Sequence, residues 1–189
     1  MVIEMKHKMH IFGASGSGTT TIAKAICDKL GYKHFDSDDY YWLPTKDPFT
    51  AERLREECLK MLESDLTSCD NWVLSGSLTG WGEIFTPLFD LVVFVYVPQD
   101  IRLKRLKKRE YERYGDEILP GGKKYEDSKT FLEWAACYDA GTRNGRSFHK
   151  HEQWLSGLEC KTIKVINLSL EDSINTVIRA VKGNLIQVD

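Results

Sequence analysis

With 189 residues, 42% of them hydrophobic and 29% charged, the chain has the size of one domain with a sizeable core, and no segment approaches the roughly 20 apolar residues of a membrane span. A formal net charge of -2 gives no general reason to hold a nucleic acid, and five cysteines, odd in number and without a C-x-x-C pair, exclude a zinc framework and a disulfide scaffold. The start MVIEMKHKMH lacks the apolar core of a signal peptide, so the expectation is a soluble cytoplasmic protein with no membrane or nucleic-acid partner.

Along the chain, strand and helix patterns alternate. Residues 9–13 read as a strand, and residues 20–30 as a helix with Ile22, Ile26 and Leu30 at every fourth position, ended by Gly31. Residues 32–35 read as a second strand. Residues 50–66 form a helix with Leu54, Cys58, Met61, Leu62 and Leu66 on one face. Residues 72–74 are a third strand, and the valine-rich run 91–97 reads as a central strand buried on both faces. Pro98 opens a helix to about Tyr114, and residues 115–125, with Pro120, Gly121 and Gly122, read as a loop. Phe131, Trp134, Ala135 and Tyr138 fall on one helical stripe that reads as core packing. Residues 162–168 are a last strand, and Ser169 with Asp172 resembles a capping box before Ile174, Val177, Ile178 and Val181. The pattern predicts one α/β domain over residues 1–189, with about five parallel strands and helices on both faces.

The chemistry gathers where the first strand meets the first helix. Gly13-Ala14-Ser15-Gly16-Ser17-Gly18-Thr19-Thr20 matches the phosphate-binding loop G-x-x-x-x-G-K-[ST], except that Thr19 stands where lysine is usual. Glycines let the backbone curl until its N–H groups point inward, and the following helix adds its positive end, so an anion belongs there. Thr20 keeps the hydroxyl that meets a magnesium ion bridging the β- and γ-phosphates. The missing lysine removes one charge, worth about 3 kcal/mol by analogy with a single transition-state donor, so another cation must compensate or transfer is slow. A competing pattern, Gly16-x-Gly18 with Asp36 downstream, imitates a dinucleotide-binding fingerprint, but Thr21 stands where its third glycine belongs.

His34-Phe35-Asp36-Ser37-Asp38-Asp39 places acids at the carboxyl end of the second strand, the edge where open parallel sheets bind ligands. Asp36 is the candidate for holding magnesium water, and Asp38 for orienting or deprotonating an acceptor. Arg102, Arg105, Arg109 and Arg113 then recur along one helix face, and one of them is a candidate substitute for the lysine. Lys104, Lys107 and Lys108 read as a solvated face. The histidines form no HExxH pattern, and no Ser-His-Asp set can be assigned.

These segments together resemble the adenylate kinase and shikimate kinase branch of P-loop kinases: GASGSGTTT is similar to its phosphate loop, FDSD to the shikimate kinase acidic motif, and Val97-Pro98 through Arg109 to the adenylate kinase stretch entering the lid. The resemblance implies a three-layer P-loop NTPase fold, with Asp36 organising magnesium through water, Asp38 on the acceptor, Arg105 stacked on adenine and Arg109 on phosphates. It departs after the third strand, where Ser75-Gly76-Ser77 replaces the aspartate-glycine of adenylate kinases. The expectation is γ-phosphoryl transfer from ATP with Mg2+ to a small acceptor, either a nucleoside monophosphate or a hydroxylated metabolite. Backbone amides of Gly13, Ser15, Gly16, Ser17, Gly18, Thr19 and Thr20 would cradle phosphates, Thr20 and Asp36 would hold the metal, and Arg109 and Arg113 would neutralise transferred charge. A substrate-binding insertion is expected near residues 39–70 and a lid near 114–127. A catalytically weak nucleotide-binding regulator and a nicotinamide oxidoreductase stand as alternatives.

Overall fold

The computed structural model describes residues 7–183; the outer ends of the expected 1–189 domain, with most of the export-negative start, lie outside them. Strand β1 (Lys8–Gly13) leads into α1 (Thr19–Leu30), which Gly31 ends in the left-handed region at φ 71°, its N–H on the Cys27 carbonyl. Next come β2 (Lys33–Asp36), a short α2 (Ser37–Tyr41), α3 (Arg55–Thr67), β3 (Trp72–Ser75), a 3-10 turn at Glu83–Leu88, β4 (Leu91–Tyr96) and α4 (Gln99–Tyr114). A second 3-10 turn (Gly115–Ile118) precedes α5 (Tyr125–Ala136), α6 (Phe148–Ser156), β5 (Lys161–Ile166) and α7 (Leu170–Gly183). At the start of α7 the Asp172 N–H donates to Ser169 Oγ at 3.3 Å, as the capping pattern requires.

All five strands pair in parallel, in the order β2-β3-β1-β4-β5. Because alternate side chains of a strand point to opposite faces, β1 sends Met9 and Ile11 to one core and Phe12 to the other. The first core is aliphatic and lies under α1 and α7, with Ile22, Ile26, Val93, Val95 and Val177 inside it. The second is aromatic, with Trp72, Phe85, Phe89 and Phe94 packed against Leu62 and Leu66 of α3 and against Trp154 of α6. Covering both faces buries β1, β3 and β4 and leaves their carboxyl ends, with that of β2, as the open edge for ligands.

Two sequence expectations shift. The helix expected from residue 50 begins at Arg55, because residues 42–54 form an arm closed by a Trp42–Glu52 bridge and by Leu43 N–H on the Ala51 carbonyl at 2.9 Å. Leu54 and Met61 are therefore 72% and 42% exposed, while Cys58, Leu62 and Leu66 carry the packing. The segment read as loop 115–125 contains the second 3-10 turn, and a Cβ on Gly122 would lie 2.2 Å from the Glu117 carbonyl oxygen, an approach that only glycine allows.

Candidate active site

The loop between β1 and α1 is curled and clamped from two sides. Gly16 and Gly18 hold φ of 82° and 88°, which costs a residue without Cβ little, and the Ser17 N–H closes a turn on the Ala14 carbonyl at 3.0 Å. From β4, the Val95 carbonyl oxygen lies 2.3 Å from where a Cβ on Gly13 would sit. From the end of β5, Asn167 Nδ2 donates to the Ser17 carbonyl at 2.8 Å and stands 2.8 Å from a Cβ placed on Gly18. No side chain fits at these positions without moving backbone or the Asn167 amide, so the strand ends and the loop hold one another.

Beside the loop, β2 and β3 supply the acid and its support. Thr20 Oγ1 donates to Asp36 Oδ2 at 2.7 Å, and Ser75 Oγ donates to the same oxygen at 2.9 Å. The other oxygen, Oδ1, accepts the Asp38 N–H at 3.1 Å, so Asp36 also caps α2. Since the Ser75 proton goes to Asp36, the His34 Nε2 that stands 3.0 Å from Ser75 Oγ must be the donor there. Thr20, having spent its proton on Asp36, keeps its oxygen lone pairs as acceptors.

That geometry fits a magnesium ion arriving with a nucleotide: one hydroxyl with free lone pairs and one anchored carboxylate at the mouth of a loop of amides. Among the described residues no group of three or more His, Cys, Asp or Glu side chains could cage a metal alone. Mg2+ held by one or two protein oxygens plus phosphates needs no such cage.

Asp38 lies two residues after Asp36, in the first turn of α2, and the residue as a whole is exposed. Its carboxyl is pushed above the usual aspartate range, first by burial and then by the Asp36 charge, with Arg146 and a bond from Trp42 working the other way. Asp39 is raised too, for the same two leading reasons.

The arginines of α4 have separated roles. Arg102 is fully buried and bonds the Val97 and Ala135 carbonyls and Asp139 Oδ1, the last at 2.8 Å, with its guanidinium over the Tyr138 ring. It ties α4 to α5 and is not free for phosphate, which corrects its place in the expected stripe. Arg105 donates to the Asn167 carbonyl at 3.1 Å and reaches 4.0 Å from a Cβ on Gly18, at the rim of the loop. Arg109 lies 5.9 Å from the Phe131 ring; the residue as a whole is exposed, but its guanidinium is crowded enough that desolvation and then Arg113 lower its pKa, while Asp38 opposes. Arg113 pairs with Glu110 at 3.7 Å and sits 5.0 Å over Phe49 of the 42–54 arm.

Sequence reasoning missed Arg146. It follows Gly145, which turns at φ 101°, and precedes Ser147, whose hydroxyl caps α6 by accepting the Lys150 N–H at 3.3 Å. Arg146 lines a small cavity with Ala14, Ser15, Trp134, Ala135 and Tyr138, and its guanidinium lies 5.2 Å over the Trp134 ring. Trp134, expected as core, is thus half-buried and holds a cation, whereas Ala135 and Tyr138 of the same stripe are buried as expected. The only sequence signal was the glycine and the capping serine around Arg146, which mark a turn into a helix and say nothing of the phosphate loop.

A larger cavity of about 250 Å³ opens past the end of β3, lined by Ser77, Leu78 and Thr79, by His10 and Phe12 of β1, and by Lys150, His151 and Trp154 of α6. His10 and His151 are pushed down to about 4 and about 3, mainly by burial, so both are neutral. Tyr138 Oη lies 2.7 Å from His151 Nδ1.

The parallel sheet in this strand order, with a curled glycine loop opening its first helix, defines a P-loop kinase type of α/β protein. The chain belongs to the AAA domain family, whose model matches residues 10–130. It is 47% identical over 181 residues to the uncharacterized protein YqaC of Bacillus subtilis, covering 95% of this chain and 100% of that one. It is 31% identical over 114 residues to a cytidylate kinase of Archaeoglobus fulgidus, covering 54% of this chain and 62% of the relative. Among solved structures, a shikimate kinase from Acinetobacter baumannii in complex with shikimate superposes with a TM-score of 0.56 at 18% identity, over 97% of each chain. A deoxyadenosine kinase from M. mycoides gives 0.51, also at 18% identity, over 93% of this chain and 99% of that one. These structural likenesses show the fold, as expected from the sequence.

Proposed function

We propose that the protein is a phosphotransferase moving the γ-phosphoryl of Mg-ATP to a small acceptor. The observation that carries this reading is the 2.7 Å bond from Thr20 to Asp36 at the mouth of the Gly13 to Thr20 loop, which leaves a threonine oxygen and a fixed carboxylate beside converging amides. The amides of Gly13, Ser15, Gly16, Ser17, Gly18, Thr19 and Thr20 bind the polyphosphate, and Arg105 at the rim covers the adenine. Thr20, and Asp36 through water, would hold the metal, which would supply positive charge to the phosphates. Asp38 takes the proton of an acceptor hydroxyl as its oxygen bonds to the γ-phosphorus. The bond from that phosphorus to the bridging oxygen breaks, and ADP leaves with the electron pair. Arg109 stands on the Asp38 side to offset charge on the transferred group, and Arg113, through Phe49, carries the acceptor arm toward it.

For the acceptor, the shikimate kinase neighbour binds shikimate and the more distant relatives are named cytidylate kinases. The structure favours a compact hydroxylated acceptor in this chain. The cavity past β3 is below the roughly 300–1,000 Å³ of drug-sized sites, is floored by aromatic rings, and starts at Ser77, directly after the Gly76 that packs on Ser37 and Asp36. The weak-binder alternative keeps one observation in its favour, the threonine at position 19. Against the oxidoreductase reading stands Thr21 at the third glycine position of its fingerprint, while Asp36 accepts from Thr20, Ser75 and the Asp38 N–H.

Calorimetry with Mg-ATP, followed by ADP release across nucleoside monophosphates and small hydroxylated metabolites, tests the proposal. Saturable binding and turnover with a subset of acceptors is the expected result. No binding at millimolar Mg-ATP by folded protein would end it, and binding without turnover on any acceptor would leave the regulator.

A further inference from the structure

A loop that lacks its lysine needs a positive charge from elsewhere, and the described residues narrow the source. Arg102 is consumed by Val97, Ala135 and Asp139, Arg105 by the Asn167 carbonyl, and Arg113 by Glu110 and Phe49. Arg53 of the arm bonds the Tyr40 carbonyl at 2.9 Å. Arg109 stands at the acceptor side of the cleft, near Arg113 and Asp38.

Arg146 differs from all of these. Its guanidinium carbon lies 5.2 Å from the Trp134 ring centroid, and the residue lines the same cavity as Ala14 and Ser15, the first residues of the loop after Gly13. The backbone that carries it is fixed on both sides: Gly145 turns where a Cβ would lie 4.0 Å from Trp134 Nε1, and Ser147 caps α6. Its charge neighbours are Asp38, Tyr138 and Tyr41, and desolvation lowers its pKa from the usual arginine value. Removing a guanidinium from water without a bonded carboxylate costs stability unless an anion arrives to meet it. Here the cavity that Arg146 lines is shared with Ala14 and Ser15 of the glycine loop. A guanidinium over an indole gains cation–π attraction, and its planar fork can grip two phosphate oxygens with parallel N–H bonds.

We propose that Arg146 supplies to the terminal phosphates of a bound nucleoside triphosphate the positive charge that the loop lacks at Thr19. The cation thus enters from the chain beyond α5, 127 positions after the missing lysine, and sits on the same side as Asp38, so it touches the transferred group from the acceptor's direction. Position 19 and position 146 then carry one function between them, and a charge placed at either suffices.

The inference rests on the phosphotransferase reading, and a four-protein comparison separates the two. Wild type, Arg146→Gln, Arg146→Lys and the double variant Thr19→Lys with Arg146→Gln are compared for Mg-ATP affinity by calorimetry and for ADP release with the best acceptor, after thermal melts establish that each is folded. Arg146→Gln is expected to bind Mg-ATP about tenfold more weakly and to turn over roughly 100-fold more slowly. Arg146→Lys, which keeps the charge and loses the planar fork, falls between. Adding Thr19→Lys to Arg146→Gln recovers about tenfold or more of the lost affinity and rate. If wild type binds no Mg-ATP, the phosphotransferase reading fails and takes this inference with it. If wild type binds but Arg146→Gln changes affinity and rate by less than about threefold, or if Thr19→Lys recovers nothing, the assignment to Arg146 is wrong while the reading of the loop stands. Should no acceptor turn over, the affinity comparison alone decides by the same thresholds.

Discussion

The two ends of the cleft are made of different material. At the proposed donor end, residues 13–20 offer main-chain amides, held by close packing of Val95 against Gly13, Leu106 and the Arg102 carbonyl against Gly16 and Asn167 against Gly18, and by the Asn167 amide bonded to the Ser17 carbonyl. At the proposed acceptor end, the candidate groups are charged side chains brought from three separate segments, Asp38 after β2, Arg109 on α4 and Lys124 before α5, and desolvation depresses the pKa of Arg109. A backbone cradle is rigid and indifferent to which nucleoside it serves. A side-chain cluster can be retuned one residue at a time, which is where acceptor choice in such a fold has to reside.

Substitutions should therefore fail in different ways at the two ends. The largest effect is expected from Gly13→Ala, whose Cβ would meet the Val95 carbonyl oxygen at 2.3 Å and Ser17 Oγ at 2.7 Å. It should cost on the order of 3 kcal/mol or more in urea unfolding, because a backbone oxygen cannot step aside. Next comes Asp38→Asn, expected to lower turnover roughly 100-fold or more with Mg-ATP affinity unchanged. Because the Asp38 pKa is raised, the wild-type rate should climb with pH through a point above the ordinary aspartate value, and that acid limb should vanish in the variant. Asp36→Asn is the contrast, weakening Mg-ATP itself through the loss of a charge next to Thr20. If Asp38→Asn weakened Mg-ATP as much as Asp36→Asn does, the division of the cleft into two ends would collapse.

This division also explains what the sequence disclosed. The donor end was legible because its parts are contiguous: glycine spacing, the hydroxyl of Thr20 and the flanking strand and helix periods lie within 23 residues. Asp36 and Asp38 were legible because a strand end is a known address. The fold followed from the same local periods, and missed boundaries fell where long-range contacts override them, as in the 42–54 arm that delays α3 to Arg55. Arg102 and Arg146 could not be sorted by pattern. Both are arginines near helix ends, and what separates a structural clamp on Asp139 from a free cation facing Ala14 is a tertiary contact that no spacing encodes.

A smaller effect concerns the floor between the two ends. His10 and His151 are neutral in the fold, with pKa values of about 4 and about 3, whereas the unfolded chain would titrate near 6.5. The unfolded state therefore binds protons first, so their stabilising share is complete above the unfolded value and is lost as pH falls from about 6.5 toward about 4, at up to about 1.4 kcal/mol per pH unit for each histidine. Urea unfolding across that window should show the slope, and His10→Phe should flatten part of it. An unchanged slope would mean that His10 takes up a proton in the fold and that the cavity floor is polar.

The smallest effect tests whether the arm belongs to the acceptor end at all. Lys124 Nζ lies 3.3 Å from Asp47 Oδ2 and 5.9 Å from the Tyr114 ring, and Arg113 covers Phe49, so the segment after α4 and the end of α4 itself each touch the arm at one point. Asp47 is half exposed, and such a pair adds little to stability in water. Its effect should instead appear in how often the arm and residues 115–125 are found together. Lys124→Ala should raise the acceptor KM about twofold, leave Mg-ATP affinity and the melting temperature unmoved, and remove the salt dependence of that KM, since screening and deletion act on the same contact. If the change fell on Mg-ATP affinity, residues 42–54 would belong with the donor loop, and acceptor recognition would have to be sought in the cavity beside Ser77 alone.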